Sequence, residues 1–296
     1  MKIMTACVAF LLAILPGVAL YAQGTEAVSN KSLLWQISGN NLTKPSYLFG
    51  TMHLVCSGDY VWTDKMKECL DKSDKVCFEM NLNDPKVIMQ AAEGFMDKGG
   101  KKLQEYFTPG QYKILKDYFK DSLRLDIALF GQMKPMALES MLMMFDAQCA
   151  NPISYEDSIM KTALDEKKEI LGLEEAKEQL DVLDSIPIDT VISELMDEIQ
   201  NKHKNDSEYL QLTTAYKQQD LPALYALVVN SKDLGDDDMG VFLDDRNKKW
   251  IARIEDKIKG QSVFFAVGAG HLLGDNGVIN LLRKERYTVE PLNPRP

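Results

Sequence analysis

Val263-Phe264-Phe265-Ala266-Val267-Gly268-Ala269-Gly270-His271-Leu272 opens on five apolar residues and closes on a glycine turn that carries a histidine. A short, continuously apolar run of this kind reads as a strand buried on both faces, the pattern of a parallel strand inside an α/β sheet. The same order stands near the other end of the chain, in Tyr47-Leu48-Phe49-Gly50-Thr51-Met52-His53-Leu54. Each has an apolar strand, a glycine, two residues, a histidine and a leucine. One glycine three residues before a histidine carries little information. Its repetition in two of only three histidines in the chain carries much more.

Such an element has a physical use. The strand fixes the backbone from within the core, and Gly50 or Gly268 then permits a sharp turn or a close approach. An imidazole is delivered at the carboxyl edge of the sheet, where open α/β folds place their ligand clefts. A third apolar strand, Val76-Cys77-Phe78, runs directly into Glu79. A carboxylate there is either solvated at the sheet edge or buried and paired. His53, Glu79 and His271 make a usable catalytic set in two ways. They suit a divalent metal, with Zn²⁺, Mn²⁺, Co²⁺ and Fe²⁺ as candidates and positions left open for water and substrate. They also suit a metal-free histidine base oriented by Glu79.

Working outward, Leu33–Ser38 reads as a strand and Gly39-Asn40-Asn41 as turn chemistry, which makes a hairpin with Tyr47–Phe49. Asp64–Asp71 reads as a short helix, Glu169–Leu173 as a strand and Glu174–Leu183 as a helix. Thr108-Pro109 starts a mostly helical stretch that runs to about residue 150 with a break near Lys134-Pro135. Asp157–Lys168 and residues 189–230 read as helical. Asp233–Asp245, with six aspartates, reads as a solvated acidic loop without the EF-hand ligand pattern. Leu243, Trp250, Ile251, Ile254 and Ile258 share one helical face, with Arg246 at its edge. Arg246 there either snorkels beside the core or reaches an anionic ligand or Glu79. Gly277–Glu285 is a helix and Tyr287–Glu290 a last strand. Strands thus gather at both ends of the chain around a helical middle. The expected fold is α/β, a central mixed β-sheet flanked by helices. Residues 23–296 form one domain with helical cap insertions at about 84–165 and 185–240.

The chain has 296 residues and a net charge of −10, with 34 Lys+Arg against 44 Asp+Glu. An acidic chain without a basic cluster is a poor partner for nucleic acid, whose affinity comes largely from Lys and Arg. Met1-Lys2, the apolar run Met4–Leu20 and the small residue Ala22 have the layout of a secretory signal peptide. Cleavage is expected after Ala22, leaving no membrane span and an exported protein, periplasmic or secreted. Cys56, Cys69, Cys77 and Cys149 then meet an oxidising compartment, which allows one or two disulfides with the pairing left open. His203 sits in a polar stretch and is read as non-functional. The sequence contains no G-x-S-x-G elbow, no H-E-x-x-H and no G-x-x-x-x-G-K-[ST].

At these residues the sequence resembles the TraB/GumN family, which is related to the Tiki peptidases. The resemblance runs from Leu33-Leu34-Trp35 through the His53 element. It continues through Asp157…Ala163, Leu171-Gly172-Leu173-Glu174 and Gln179-Leu180, and ends on Asp245-Arg246-Asn247 and Val267–Gly274, with Gly277 beyond. It implies a sheet fold similar to erythromycin-esterase and ChaN-like proteins, and active-site roles for His53, Glu79 and His271. It also implies that Arg246 and Glu174 are cleft residues. The expected activity is that of an exported hydrolase, a metal-dependent peptidase acting on a peptide or protein. The alternatives are a metal-free hydrolase of ester substrates using a histidine base, and a non-catalytic protein that binds haem, iron or a peptide.

Overall fold

The computed structural model describes residues 31–145, 149, 151–229 and 240–292; residues 1–22, expected as a signal peptide, and residues 233–239 of the acidic stretch lie outside them. Eight strands are present among the described residues: β1 (Leu34–Gly39), β2 (Ser46–Thr51), β3 (Val55–Cys56), β4 (Lys75–Phe78), β5 (Pro152–Ile153), β6 (Glu169–Gly172), β7 (Val263–Gly268) and β8 (Tyr287–Pro291). Six form one sheet in the order β6-β4-β7-β2-β1-β8. β6, β4, β7 and β2 run parallel, while β1 and β8 are antiparallel additions at one edge. The sheet is therefore mixed and helix-flanked, as the strand patterns require.

The apolar runs explain this order. Phe264, Phe265, Ala266 and Val267 are buried and lie in the middle of the sheet. Their neighbours Tyr47, Leu48 and Phe49 on one side and Val76, Cys77 and Phe78 on the other are equally buried. The β1–β2 hairpin turns through Gly39, Asn40 and Asn41, all at positive φ (76°, 44° and 63°), a conformation that glycine and asparagine accept most readily. The register sets Phe78 beside Ala266 and Thr51 beside Gly268. The ends of β4, β7 and β2 thus come out side by side at one edge, with Glu79, His271 and His53 immediately beyond them.

The helical middle is more broken than its composition suggests. The helix begun at Thr108-Pro109 ends at Tyr118, passes through a π-helical turn and stops at Arg124, whose φ of 61° is left-handed. The stretch read as helical over 189–230 is built of three helices, Ile188–Gln200, Lys202–Lys217 and Leu221–Val229. Leu115, Phe119, Leu138, Leu142, Ile192 and Leu195 make a second apolar cluster apart from the sheet core. Tyr155–Asp165, by contrast, packs Tyr155, Ile159 and Ala163 into the sheet core itself. Gly240–Asp244, expected as part of an acidic loop, forms a π-helical turn leading into Asp245–Lys257. The Phe242 carbonyl accepts from Arg246 and the Asp244 carboxylate from Asn276, which ties that turn down.

A two-stranded sheet pairs β3 with β5 outside the main one. Beside it Cys56 and Cys149 form a disulfide, while Cys69 and Cys77 are buried free thiols. No helix among the described residues is long and apolar enough to cross a membrane.

Candidate active site

Arg246 is the hub of the site. It projects from the first turn of Asp245–Lys257 and is buried. Its Nη2 donates to Glu79 Oε2 at 2.6 Å and to Glu174 Oε1 at 2.5 Å, and its Nε donates to Glu174 Oε2 at 3.1 Å. Its Nη1 donates to the Phe242 carbonyl and to His271 Nε2, both at 3.2 Å. All five N–H groups of the guanidinium are thereby used within the protein. The snorkelling alternative is set aside, since this side chain reaches Glu79 inside the fold. Glu174 is further held by the Trp250 indole N–H at 3.1 Å.

Glu79 is paired rather than solvated. The Gly268 N–H donates to its Oε1 at 2.8 Å. A Cβ on Gly268 would stand 3.3 Å from the same oxygen, so glycine permits this close approach. Burial pushes the Glu79 carboxyl up, but His271, Arg246, His53 and the Gly268 N–H outweigh it and hold it down at about 2. His271 itself is held near 4, mainly by burial and with Arg246 adding, so it is uncharged at neutral pH. Arg246 and Gly268 therefore keep Glu79 ionised there.

The neutral state of His271 fits its partners. Asn247 Nδ2 donates to the Asn276 carbonyl at 3.0 Å, which turns its Oδ1 toward His271 Nδ1 at 2.7 Å. This network assigns the proton to Nδ1 and the lone pair to Nε2. The ring also lies 4.4 Å from the Trp250 ring, and its Nε2 is 3.9 Å from Glu79 Oε1.

His53 stands at the mouth, with a side chain 80% exposed. Its Nδ1 meets Glu156 Oε1 at 3.1 Å. That hydrogen bond raises the imidazole above its ordinary value, with Glu79 adding and Arg246 opposing. Glu156 is held below its ordinary range: burial opposes this, and His53 and Thr51 outweigh it. Neither imidazole is thus a free base at neutral pH. His53 holds a proton against Glu156, and the Nε2 of His271 is engaged by Arg246.

Gly50 places the two histidine elements in contact. A Cβ there would stand 2.8 Å from Leu272 Cδ1 and 3.1 Å from the Ala269 Cα, so the backbone after β7 would have to move. Gly50→Ala is expected to cost about 1–3 kcal/mol. It would appear as a lower urea midpoint at unchanged slope.

The depressed groups set an acid dependence. Each contributes stability above its unfolded value that is lost as pH falls through its folded one. His271 sheds its part from 6.5 down to about 4, and Glu79 from 4.5 down to about 2. His53 has the opposite sign, its part being full below its ordinary value and lost as pH rises. The urea midpoint should therefore fall steadily on acidification from neutral pH, and His271→Ala should flatten the first part of that fall.

Among the described residues, no group of three or more His, Cys, Asp or Glu closes around one point. Their donor types suit a divalent cation, with the Arg246 Nη1 hydrogen bond to His271 Nε2 having to give way on loading. Each ring gives its Nδ1 to an outer partner, Asn247 or Glu156, which is how ligating histidines are oriented. The Nε2 of His53 has no hydrogen-bond partner among the described residues. Two carboxylates against one guanidinium, with His271 neutral, leave the buried cluster one positive charge short.

The structure brings Glu79, Glu174, Arg246 and His271 into one cluster, with Gly268 beneath Glu79, Gly50 behind the turn and His53 at the rim. Sequence reasoning missed Glu156 and gave no role to Asn247. Glu156 follows the N-cap Ser154 but lies 103 residues from His53, and only the fold joins them. His203 lies in the helix Lys202–Lys217, and its side chain is outside the described residues.

This is an α/β protein whose candidate site crowns three adjacent parallel strands. The chain belongs to the TraB/PrgY/gumN family, whose model matches residues 33–291. It is similar to Metalloprotease TIKI2 of Danio rerio, 26% identical over 92% of this chain and 64% of that protein. It is likewise similar to Metalloprotease TIKI1 of Danio rerio (27% identical, 88% of this chain, 63% of that protein) and of Homo sapiens (23%, 93% and 65%). The chain thus spans a little under two thirds of the length of these relatives. No solved structure matches it.

Proposed function

We propose that this chain is a divalent-cation-dependent hydrolase and, within that class, a peptidase. The observation that carries the reading is the pair of histidines at the ends of neighbouring parallel strands. Each has its Nδ1 held from outside, and His271 stands between His53 and the buried Glu79 in strand order. His53, Glu79 and His271 are the residues proposed to hold the cation, with Mn²⁺, Co²⁺, Zn²⁺ and Fe²⁺ as candidates. A bound cation of this kind lowers the pKa of water and polarises a scissile carbonyl. Arg246 and the Gly268 N–H keep Glu79 ionised for that task. Asn247 keeps the proton of His271 on Nδ1. His53 gives up its Nε2 proton on loading, so cation affinity should rise with pH. The names of the curated relatives support a protease.

The reading includes export to a periplasm or beyond. Its support is the leader-like N-terminus together with the Cys56–Cys149 disulfide. Within the insertions at about 84–165 and 185–240, the helices that build the separate apolar cluster are proposed to cap the cleft, while Tyr155–Asp165 belongs to the sheet core.

A second reading has its own observation. The exposed His53 bonded to Glu156 is an acid–base pair that needs no cation, and it suits ester hydrolysis. The test is to strip the disulfide-intact protein with a chelator and reload it with each cation in turn. Cleavage products of a peptide library and an ester panel are then read by mass spectrometry. The proposal expects peptide cleavage that vanishes on stripping and returns with one or more cations. Chelator-resistant ester turnover would overturn it in favour of the second reading. Retention of haem, iron or a peptide without turnover on any substrate would make the protein a binder.

A further inference from the structure

His53 is the least anchored member of the site. Its strand ends at Thr51, and its side chain is 80% exposed where that of His271 is 6% exposed. What locates the ring comes from another segment. Glu156 Oε1 meets His53 Nδ1 at 3.1 Å and accepts from the Thr51 hydroxyl at 2.6 Å. The Ser154 hydroxyl donates to Glu156 Oε2 at 3.2 Å. Ser154 caps the helix Tyr155–Asp165, whose first turn favours a carboxylate.

These two segments are joined just beyond the pair. β3 pairs with β5 through Val55–Ile153 and Cys56–Pro152. The Ser57 N–H donates to the Asn151 carbonyl at 3.3 Å, and the Cys56–Cys149 disulfide brings the two Cα atoms to 5.8 Å. Two residue pairs, one of them with a proline that lacks an N–H, make a ladder too short to hold on its own. The disulfide closes it across a sequence separation of 93, so the chain between, with the second apolar cluster's Leu103–Leu142, is clamped as well. On the other side the Tyr216 hydroxyl donates to the Gly50 carbonyl at 2.8 Å, which steadies the turn but does not touch the ring.

We propose that Glu156 is the positioning residue of His53, and that the Cys56–Cys149 disulfide with the β3–β5 pairing is the clamp that keeps it there. The inference rests on the reading of His53 as a site residue. Glu156 acts through the ring: by accepting the Nδ1–H it leaves the Nε2 lone pair to the site. The buried half of the site, built on β4 and β7, does not depend on the clamp.

The test is the tautomer of His53, read by two-bond ¹⁵N–¹H correlation at alkaline pH, where the ring is uncharged. Wild type and Glu156→Gln are expected to hold the Nδ1–H tautomer, since an amide oxygen accepts as a carboxylate does. Glu156→Ala and the pair Cys56→Ser/Cys149→Ser are expected to lose it for the mixture of a free imidazole. Their affinity for Mn²⁺ alone should fall about 10–100-fold. In the cysteine variant, backbone exchange should rise over residues 51–57 and 151–157 while 263–268 stays protected, which separates local release from unfolding. Should that variant not fold, folded wild type reduced by dithiothreitol gives the same readout. The proposal is overturned if Glu156→Ala keeps the Nδ1–H tautomer, or if the disulfide-free protein keeps both tautomer and exchange pattern. Failure of wild type to bind Mn²⁺ counts against the cation, and the tautomer then decides this inference alone.

Discussion

Arg246→Ala is expected to destabilise the fold by about 3–5 kcal/mol, the range found when one partner of a buried ion pair is removed. The guanidinium stands between Glu79 and Glu174, whose side chains are 14% and 3% exposed. Its removal leaves two buried carboxylates without a cation and strips the Phe242 carbonyl and His271 Nε2 of their donor. Part of the cost will be met by protonation: the Glu79 carboxyl, now near 2, should rise and take up a proton at mildly acid pH. Arg246→Lys should recover only a fraction, because a single ammonium with three N–H groups cannot serve five acceptor directions. Equilibrium denaturation in urea measures the loss. Glu79→Gln combined with Glu174→Gln should shrink it, because the charges that lose their partner are then gone. A change below about 1 kcal/mol, the size of an exposed pair, would show that the cluster is not a buried electrostatic unit.

His271→Ala is expected to abolish cation-dependent turnover, with a loss of at least about 100-fold. That exceeds what removal of an outer partner of a ligand costs. The ring is nearly buried between Trp250 and Asn247, and its two nitrogens are both engaged. Its loss leaves the Asn247 Oδ1 without its donor and frees one N–H of Arg246, each an unmet polar group worth about 1–3 kcal/mol. The variant should thus lose activity and stability together, and its activity should not return on saturation with any cation. His53→Ala should lose activity with little loss of stability, since that ring is exposed. Paired assays of turnover and urea midpoint separate the two. A His271→Ala protein with near-normal turnover would remove this residue from the site.

Much of this site was legible in the sequence, for a physical reason. Strand, glycine and histidine are adjacent in the chain, so one local stretch encodes both the buried strand and the group it delivers. Val263–His271 and Tyr47–His53 could be read this way, and Glu79 could be found from the strand that precedes it. The sheet order follows less directly. That β7 lies between β4 and β2 is a tertiary fact, suggested only by how thoroughly apolar Val263–Val267 is. Two partners were not readable. Glu156 meets His53 through a short peripheral sheet and a disulfide, neither of which any spacing announces. Asn247, one residue past Arg246, also reaches His271, and only the packing of its helix on the turn after β7 brings the two together. Within the helical middle, the individual helix ends were not readable beyond the break near Lys134-Pro135. Arg124 and Gln219, at φ of 61° and 53°, end helices in left-handed conformations that composition does not mark.

The central claim is that His53, Glu79 and His271 share one divalent cation. Elemental analysis of the untagged, disulfide-intact protein tests it most directly, after reloading with Mn²⁺, Co²⁺, Zn²⁺ and Fe²⁺ and removal of excess. Wild type should retain close to one equivalent of at least one of these metals, and His53→Ala and His271→Ala should each lose it. Wild type that retains none, or variants that retain as much as wild type, would contradict the claim.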